Sequence, residues 1–135
     1  MIVDASIAIA WVHPGQVTPE TDALLTAVGQ GVHTFAPALW PLEVANALLA
    51  LERRKKLRAE ERIAALAALR ALPITLDHEI SALAFTELSQ LAGELALSVY
   101  DAAYLELAIR LKLPLACKDG PLVNAAKRRR VTVIP

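Results

Sequence analysis

The chain has 135 residues, 56% of them hydrophobic, with a mean hydropathy of +0.44, which fits one domain, residues 1–135, around one core. Fourteen Lys and Arg balance fourteen Asp and Glu, and zero net charge argues against a strongly basic nucleic-acid-binding surface. Glu43, Asn46, Asp101 and Glu106 break the apolar stretches well short of the roughly 18 residues that a membrane span needs, and a lone cysteine, Cys117, excludes an internal disulfide.

In chain order, "MIVDASIAIAW" opens with a short apolar run, then Asp4, then a helical pattern. No basic segment precedes Asp4, so no signal peptide is expected; with a free thiol, this fits a cytoplasmic setting. "TPETDALLTAVGQG" reads as a helix with Thr18 as N-cap, Pro19 at its first position and Gly29 or Gly31 as its stop. "VHTFAP" reads as a strand. Two helices follow, "PALWPLEVANALLALERRKKL" and "RAEERIAALAALRAL", then the strand "PITLD" and one helix over "HEISALAFTELSQLAGEL". The next helix runs from about Val99 to Lys112. "LPLAC" is a strand, "DGPLVNAAKRRR" a helix and "VTVI" a last strand. Short apolar strands alternating with helices predict an α/β/α sandwich with a short central parallel sheet, buried on both faces.

Most acids have ordinary places. Glu52, Glu60 and Glu61 neighbour Arg or Lys, and Glu20 and Asp22 lie in a first helical turn, where the helix dipole favours them. Four acids instead interrupt apolar runs: Asp4, Glu43, Asp101 and Asp119. Asp4 and Asp119 follow strands, while Glu43 and Asp101 lie near helix starts. In an open parallel sheet these ends share one edge, the edge where ligands bind. Beside Glu43 on its helix lie Asn46, Ala47 and Ala50, small or polar residues that leave space next to the carboxylate.

Clustered carboxylates raise one another's pKa unless a cation intervenes. An all-oxygen set without a Cys/His constellation points to Mg²⁺ or Mn²⁺, and such a site supports metal-assisted phosphodiester hydrolysis. With those four acids in one site, ten acidic residues face fourteen basic ones elsewhere, and the basic residues gather in "RRKK" (53–56) and "KRRR" (127–130). These runs read equally as solvated helix ends or phosphate contacts. Each acid also has a plain alternative: Asp4 and Asp119 as helix caps, and Asp101 in a Ser98–Asp101 capping box. Asn46 orients Glu43 or is simply a polar helix residue. Tyr100 and Tyr104 pack or stack on bases, Trp11 and Trp40 belong to the core or an interface, and His13, His33 and His78 read as surface or structural residues. The helices over 41–71 carry more small apolar surface than a thin sandwich needs, which assigns Leu66 and Leu69 to partner contacts.

Four segments in order, "IVDASIAIAW", "PLEVANALL", "SVYDAAYLELAIRLKLPLACKDGPLVNAAK" and "VTVI", resemble PIN-domain proteins, and in particular the short bacterial VapC-type ribonuclease toxins of toxin–antitoxin pairs. The resemblance covers essentially the whole chain. It implies a metal-dependent endoribonuclease acting on RNA, typically a structured one such as tRNA or rRNA, with a cognate antitoxin as partner and a homodimeric assembly. Asp4, Glu43, Asp101 and Asp119 match the family's acidic quartet. Ser6 matches the hydroxyl residue often found two positions after the first Asp, either supporting the site or serving as a first-turn serine. Cys117 stands where the family commonly has Thr, and Arg130 where it often has Gly. Two further readings stay open: a PIN-type RNA-processing nuclease without a toxin role, and a non-catalytic interaction protein whose acids only cap helices.

Overall fold

In the computed structural model, which describes residues 1–135, strand β1 (Ile2–Val3) sits at the centre of a five-stranded, all-parallel sheet. The strand order is β3 (Ile74–Asp77), β2 (Thr34–Pro37), β1, β4 (Leu115–Ala116), β5 (Val133–Ile134). From β1 the chain winds outward through α1 (Ala5–Val12), a short 3-10 turn (Pro14–Gln16) and α2 (Pro19–Gly29) to β2, then through α3 (Trp40–Arg53) and α4 (Ala59–Arg70) to β3. It returns through α5 (Ile80–Leu83), α6 (Glu87–Leu95) and α7 (Val99–Leu111) to β4, and α8 (Gly120–Arg128) leads to β5. Right-handed crossovers in opposite directions place the two helix groups on opposite faces. Accordingly α1 packs on α2, α3 and α4, while α7 packs on α6 and α8 and across β1, β2 and β4. The winding reverses between β1 and β4, where an open parallel sheet offers a crevice at its carboxyl edge.

The strands are apolar because both faces are covered. Ile2, Val3 and Leu115 are fully buried, with Ile7, Leu48, Leu105 and Leu107 packed over them. Burying each such side chain contributes about 1.5–3 kcal/mol. Trp11 and Trp40 both belong to this core, and the Trp11 indole donates to the Thr21 carbonyl (2.9 Å), tying α1 to α2. No helix is long and apolar enough to cross a membrane.

Three details depart from the sequence reading. The single helix expected over residues 78–95 is two, broken at Thr86, whose φ and ψ of −121° and −101° are not helical. Its hydroxyl reaches the Leu83 carbonyl and the Glu87 carboxylate, the local competition by which Thr disfavours helix interiors. Leu69 is only 4% exposed and belongs to the core rather than standing free for a partner; it forms the floor of a groove of about 390 Å³ that half-buried Leu66 lines with Trp40 and Leu72. The last is the end of α8, which stops at Arg128 instead of running through the whole "KRRR" segment.

Arg130 holds φ +58° at the end of α8, where Val131 N–H bonds the Ala126 carbonyl (2.9 Å) and Arg130 N–H the Lys127 carbonyl (3.0 Å). This double closure is the Schellman ending, which favours Gly at its left-handed position. The same six-residue closure ends α2 at Gly31, α3 at Lys55, α6 at Ala96 and α7 at Lys112, and only Gly31 is a glycine. Arg130→Gly should therefore stabilise the protein by about 1 kcal/mol; chemical denaturation of the two proteins measures this, and an unchanged or lower midpoint would contradict it.

Candidate active site at the carboxyl edge of the sheet

The register of β1 on β4 pairs Val3 with Ala116 and so brings Asp4 beside Cys117. Asp4 has extended backbone angles as N-cap of α1, and its Oδ1 accepts from the Ile7 amide (3.2 Å) and the Ser6 hydroxyl (2.6 Å). Its Oδ2 accepts from the Cys117 thiol (3.0 Å). Both supporting side chains are themselves anchored: Ser6 Oγ accepts from the Lys118 amide (2.9 Å), and Cys117 Sγ from the Asp119 amide (3.2 Å). Asp119 caps α8 through the Leu122 amide (3.0 Å). The bonds from Ser6 and Cys117 thus knit the loop after β4 onto the end of β1. Cys117 supplies the donor that a Thr hydroxyl would, because burial and the neighbouring Asp4 push its pKa up and keep it a thiol.

Glu43 and Asp101 approach from the other side. Glu43 lies in the first turn of α3, and Asp101 at the third position of α7. Ser98 caps α7 by accepting from the Asp101 amide (3.0 Å), so half of the expected capping box forms and the Asp101 carboxylate is not spent on a return bond. Asn46 is exposed, and no hydrogen bond joins its side chain to Glu43. Ala47 and Ala50, with Ser6, Ile9, Gln16, Leu51 and Arg54, line a groove of about 280 Å³ between α1 and α3, and Glu43 is not part of its lining. Tyr100 is 66% exposed rather than packed, whereas Tyr104 is buried.

Charge links the four acids more than contact does. Burial raises the pKa of Asp4, against the bonds from Ser6, Cys117 and Ile7, and the charge of Asp119 adds to the rise. Burial, then Asp101 and Asp4, push Glu43 up to about 7, with only Tyr104 opposing. Asp101 is raised by burial and then by Asp119. No three acidic, histidine or cysteine side chains stand close enough together to hold one metal ion as they are placed. The structure therefore gathers the quartet along one edge, with Asp4 and Asp119 joined through Cys117, and leaves Glu43 and Asp101 apart as undercompensated charges. Sequence reasoning missed the coupling of Tyr104 to Glu43; its spacing of three residues from Asp101, on one helix face, was the available signal.

A doubly covered parallel sheet makes this an α/β protein, and its acids gather at the carboxyl edge, where such sheets bind ligands. The chain belongs to the PIN-domain family, whose model matches residues 1–128 and whose fold is that of nucleases. Among solved structures, PAE2754 from Pyrobaculum aerophilum is similar at 21% identity and a TM-score of 0.72, over 98% of this chain and 81% of its own. FitAcB from Neisseria gonorrhoeae is similar at 17% identity and a TM-score of 0.65, over 99% and 96%. FitAB bound to the IR36 DNA fragment is similar at 15% identity and a TM-score of 0.57, over 98% and 92%. These are likenesses of fold. No curated protein matches the chain.

The electrostatics fix a pH dependence. A carboxylate titrating near 7 in the folded state and near its ordinary 4.5 when unfolded keeps its proton in the fold between those values. Stability then falls as pH rises from about 4.5 to 7, and the whole loss is present above that window. Glu43→Gln should remove the slope and raise stability at pH 8 by about 1 kcal/mol after discounting for solvent screening, a few degrees in Tm. Thermal melts at pH 5 and pH 8 in chelator test this; a wild-type protein more stable at pH 8 would contradict it.

Proposed function

We propose that the chain is a Mg²⁺- or Mn²⁺-dependent endoribonuclease that hydrolyses RNA phosphodiester bonds as the toxin of a toxin–antitoxin pair. The carrying observation is Glu43, a carboxylate raised to about 7 by burial and by two of the three other acids on its edge, with one oxygen buried and unpartnered. Helix capping accounts for Asp4 and Asp119 but not for Glu43, whose helix has no side-chain cap bond. A cation relieves what burial and repulsion impose there, and the donor chemistry is all-oxygen, as Mg²⁺ and Mn²⁺ require. Asp4, Glu43, Asp101 and Asp119 would hold the ion, drawing closer than their present spacing. When bound, it would polarise a phosphoryl oxygen and acidify water.

The chain's own residues supply the rest. The donors on Asp4 hold its carboxylate in one orientation. The amino ends of α1, α7 and α8 converge on the same edge, where their dipoles favour a phosphate. The α1–α3 groove leads from Ser6 to Arg54 in the basic run at the end of α3, so a strand entering the acidic edge has a cationic neighbour along its way. FitAB is bound to DNA; for this chain RNA is the substrate proposed, because the sequence motifs resemble those of ribonuclease toxins. An antitoxin partner follows from the same resemblance, and a cytoplasmic setting is proposed from the lone free cysteine, Cys117.

Asp4→Asn and Asp101→Asn should each abolish RNA cleavage, and calorimetry should show Mn²⁺ binding by wild type that Asp4→Asn loses. Sequencing of RNA ends from cells expressing wild type or Asp4→Asn identifies the cut sites. Unchanged Mn²⁺ binding in Asp4→Asn, or cleavage by Asp101→Asn at the wild-type rate, would reject the site.

The homodimer has its own support. Val99 and Tyr100 line an apolar groove of about 230 Å³ with Leu39, Ala84 and Leu88. Leu42 is 75% exposed and Phe85 98% exposed, each within three residues of that groove's lining. So concentrated an apolar surface marks an interaction site. Phe85→Arg, which disturbs no core residue, should convert a dimer to a monomer in sedimentation; a monomeric wild type or a dimeric variant refutes this face.

A further inference from the structure

Tyr104 is 1% exposed, which rules it out as a platform for stacking bases, yet its phenolic oxygen has no hydrogen-bond partner. A buried hydroxyl left unpaired costs about 1–3 kcal/mol, and Phe would fill the same space without that cost. Glu43 Oε1 is also buried and unpartnered. The two groups approach one another without completing a hydrogen bond: the nearby Tyr104 hydroxyl, as a donor, lowers the pKa of Glu43, while the charge and acceptor oxygen of Glu43 contribute to raising that of Tyr104. A donor without an acceptor thus lies near an acceptor without a donor. Tyr104 also shares a face of α7 with Asp101, three residues away, so one rigid helix presents the hydroxyl and an acid of the quartet to Glu43.

We propose that Tyr104 is a positioning residue for Glu43: its hydroxyl donates to the ionised carboxylate and fixes the orientation in which Glu43 serves the metal. The inference rests on the metal site proposed above and adds the residue that aims one of its two unrestrained members, the other being Asp101. Asp4 has three donors and Asp119 a helix amide, whereas Glu43 accepts from none. Packing alone requires the ring of Tyr104, and positioning requires its oxygen, so removal of that one atom separates the two roles.

The experiment compares wild type, Tyr104→Phe and Tyr104→Leu by Mn²⁺ calorimetry, by metal-free melting and by cleavage kinetics across Mn²⁺ concentrations. Tyr104→Phe should keep or raise the metal-free Tm, weaken Mn²⁺ binding roughly tenfold, as loss of a ligand-orienting hydrogen bond does, and regain most of its kcat at saturating Mn²⁺. Tyr104→Leu should lose both Tm and Mn²⁺ affinity. Mn²⁺ affinity in Tyr104→Phe equal to that of wild type, or a weakening that vanishes once the folded fraction is accounted for, overturns the proposal. A wild-type protein that binds no Mn²⁺, or an Asp4→Asn protein that binds it normally, rejects the metal site and this inference with it; loss of Mn²⁺ binding in Asp4→Asn beside an unaffected Tyr104→Phe rejects the positioning role alone.

Discussion

The structure depends on keeping a charged group where the central strand ends. Asp4 is only 5% exposed, and burial of a carboxylate is unfavourable unless donors meet it. Three donors do so, and they come from two separated stretches of chain, Ser6 and Ile7 after β1, and Cys117 after β4. The requirement is mutual. Those bonds exist only if β1 and β4 are adjacent in the observed register, and the loop after β4 is held by the same residues that satisfy Asp4. Satisfying one buried acid therefore also fixes the switch point of the sheet.

That arrangement divides the acids into two kinds. Asp4 and Asp119 are built into the scaffold as caps of α1 and α8, so their structural and chemical roles coincide. Glu43 and Asp101 lie on helices already started by other means, α3 with Pro at its amino end and α7 with Ser98 as its cap. Freed from capping, they are available to a ligand and bear the repulsion of the site in its absence. The cluster is thus held by hydrogen bonds at one end and undercompensated at the other, the kind of perturbed grouping that functional sites concentrate.

Much of this was legible in the chain. Asp4 and Asp119 directly follow apolar runs, and the parallel topology places those ends together, so the edge could be read without coordinates. Thr18, Pro19 and Gly31 marked the limits of α2 correctly because each acts through local chemistry. The break at Thr86 was hidden, since the apolar pattern on both sides suits one helix and a single Thr is a weak signal. Leu69 looked spare because α4 is rich in Ala and Leu on every side; only tertiary packing selects the face that is buried. The spacing of the acids was out of reach, since topology brings elements to a common edge and side-chain geometry decides how near their carboxylates come.

Helix endings hold one more consequence. Lys112 and Arg130 close the carboxyl ends of α7 and α8, helices whose amino ends lie at the acidic edge, so these residues sit at the opposite end of the domain from the acids. The backbone penalty they carry is thus spatially separate from the chemistry. Proteins usually face a trade-off in which firmer structure comes at the expense of a strained site. Here durability and activity are separable quantities, and the lifetime of the fold can change from one generation of sequence to the next without disturbing a single atom around Glu43.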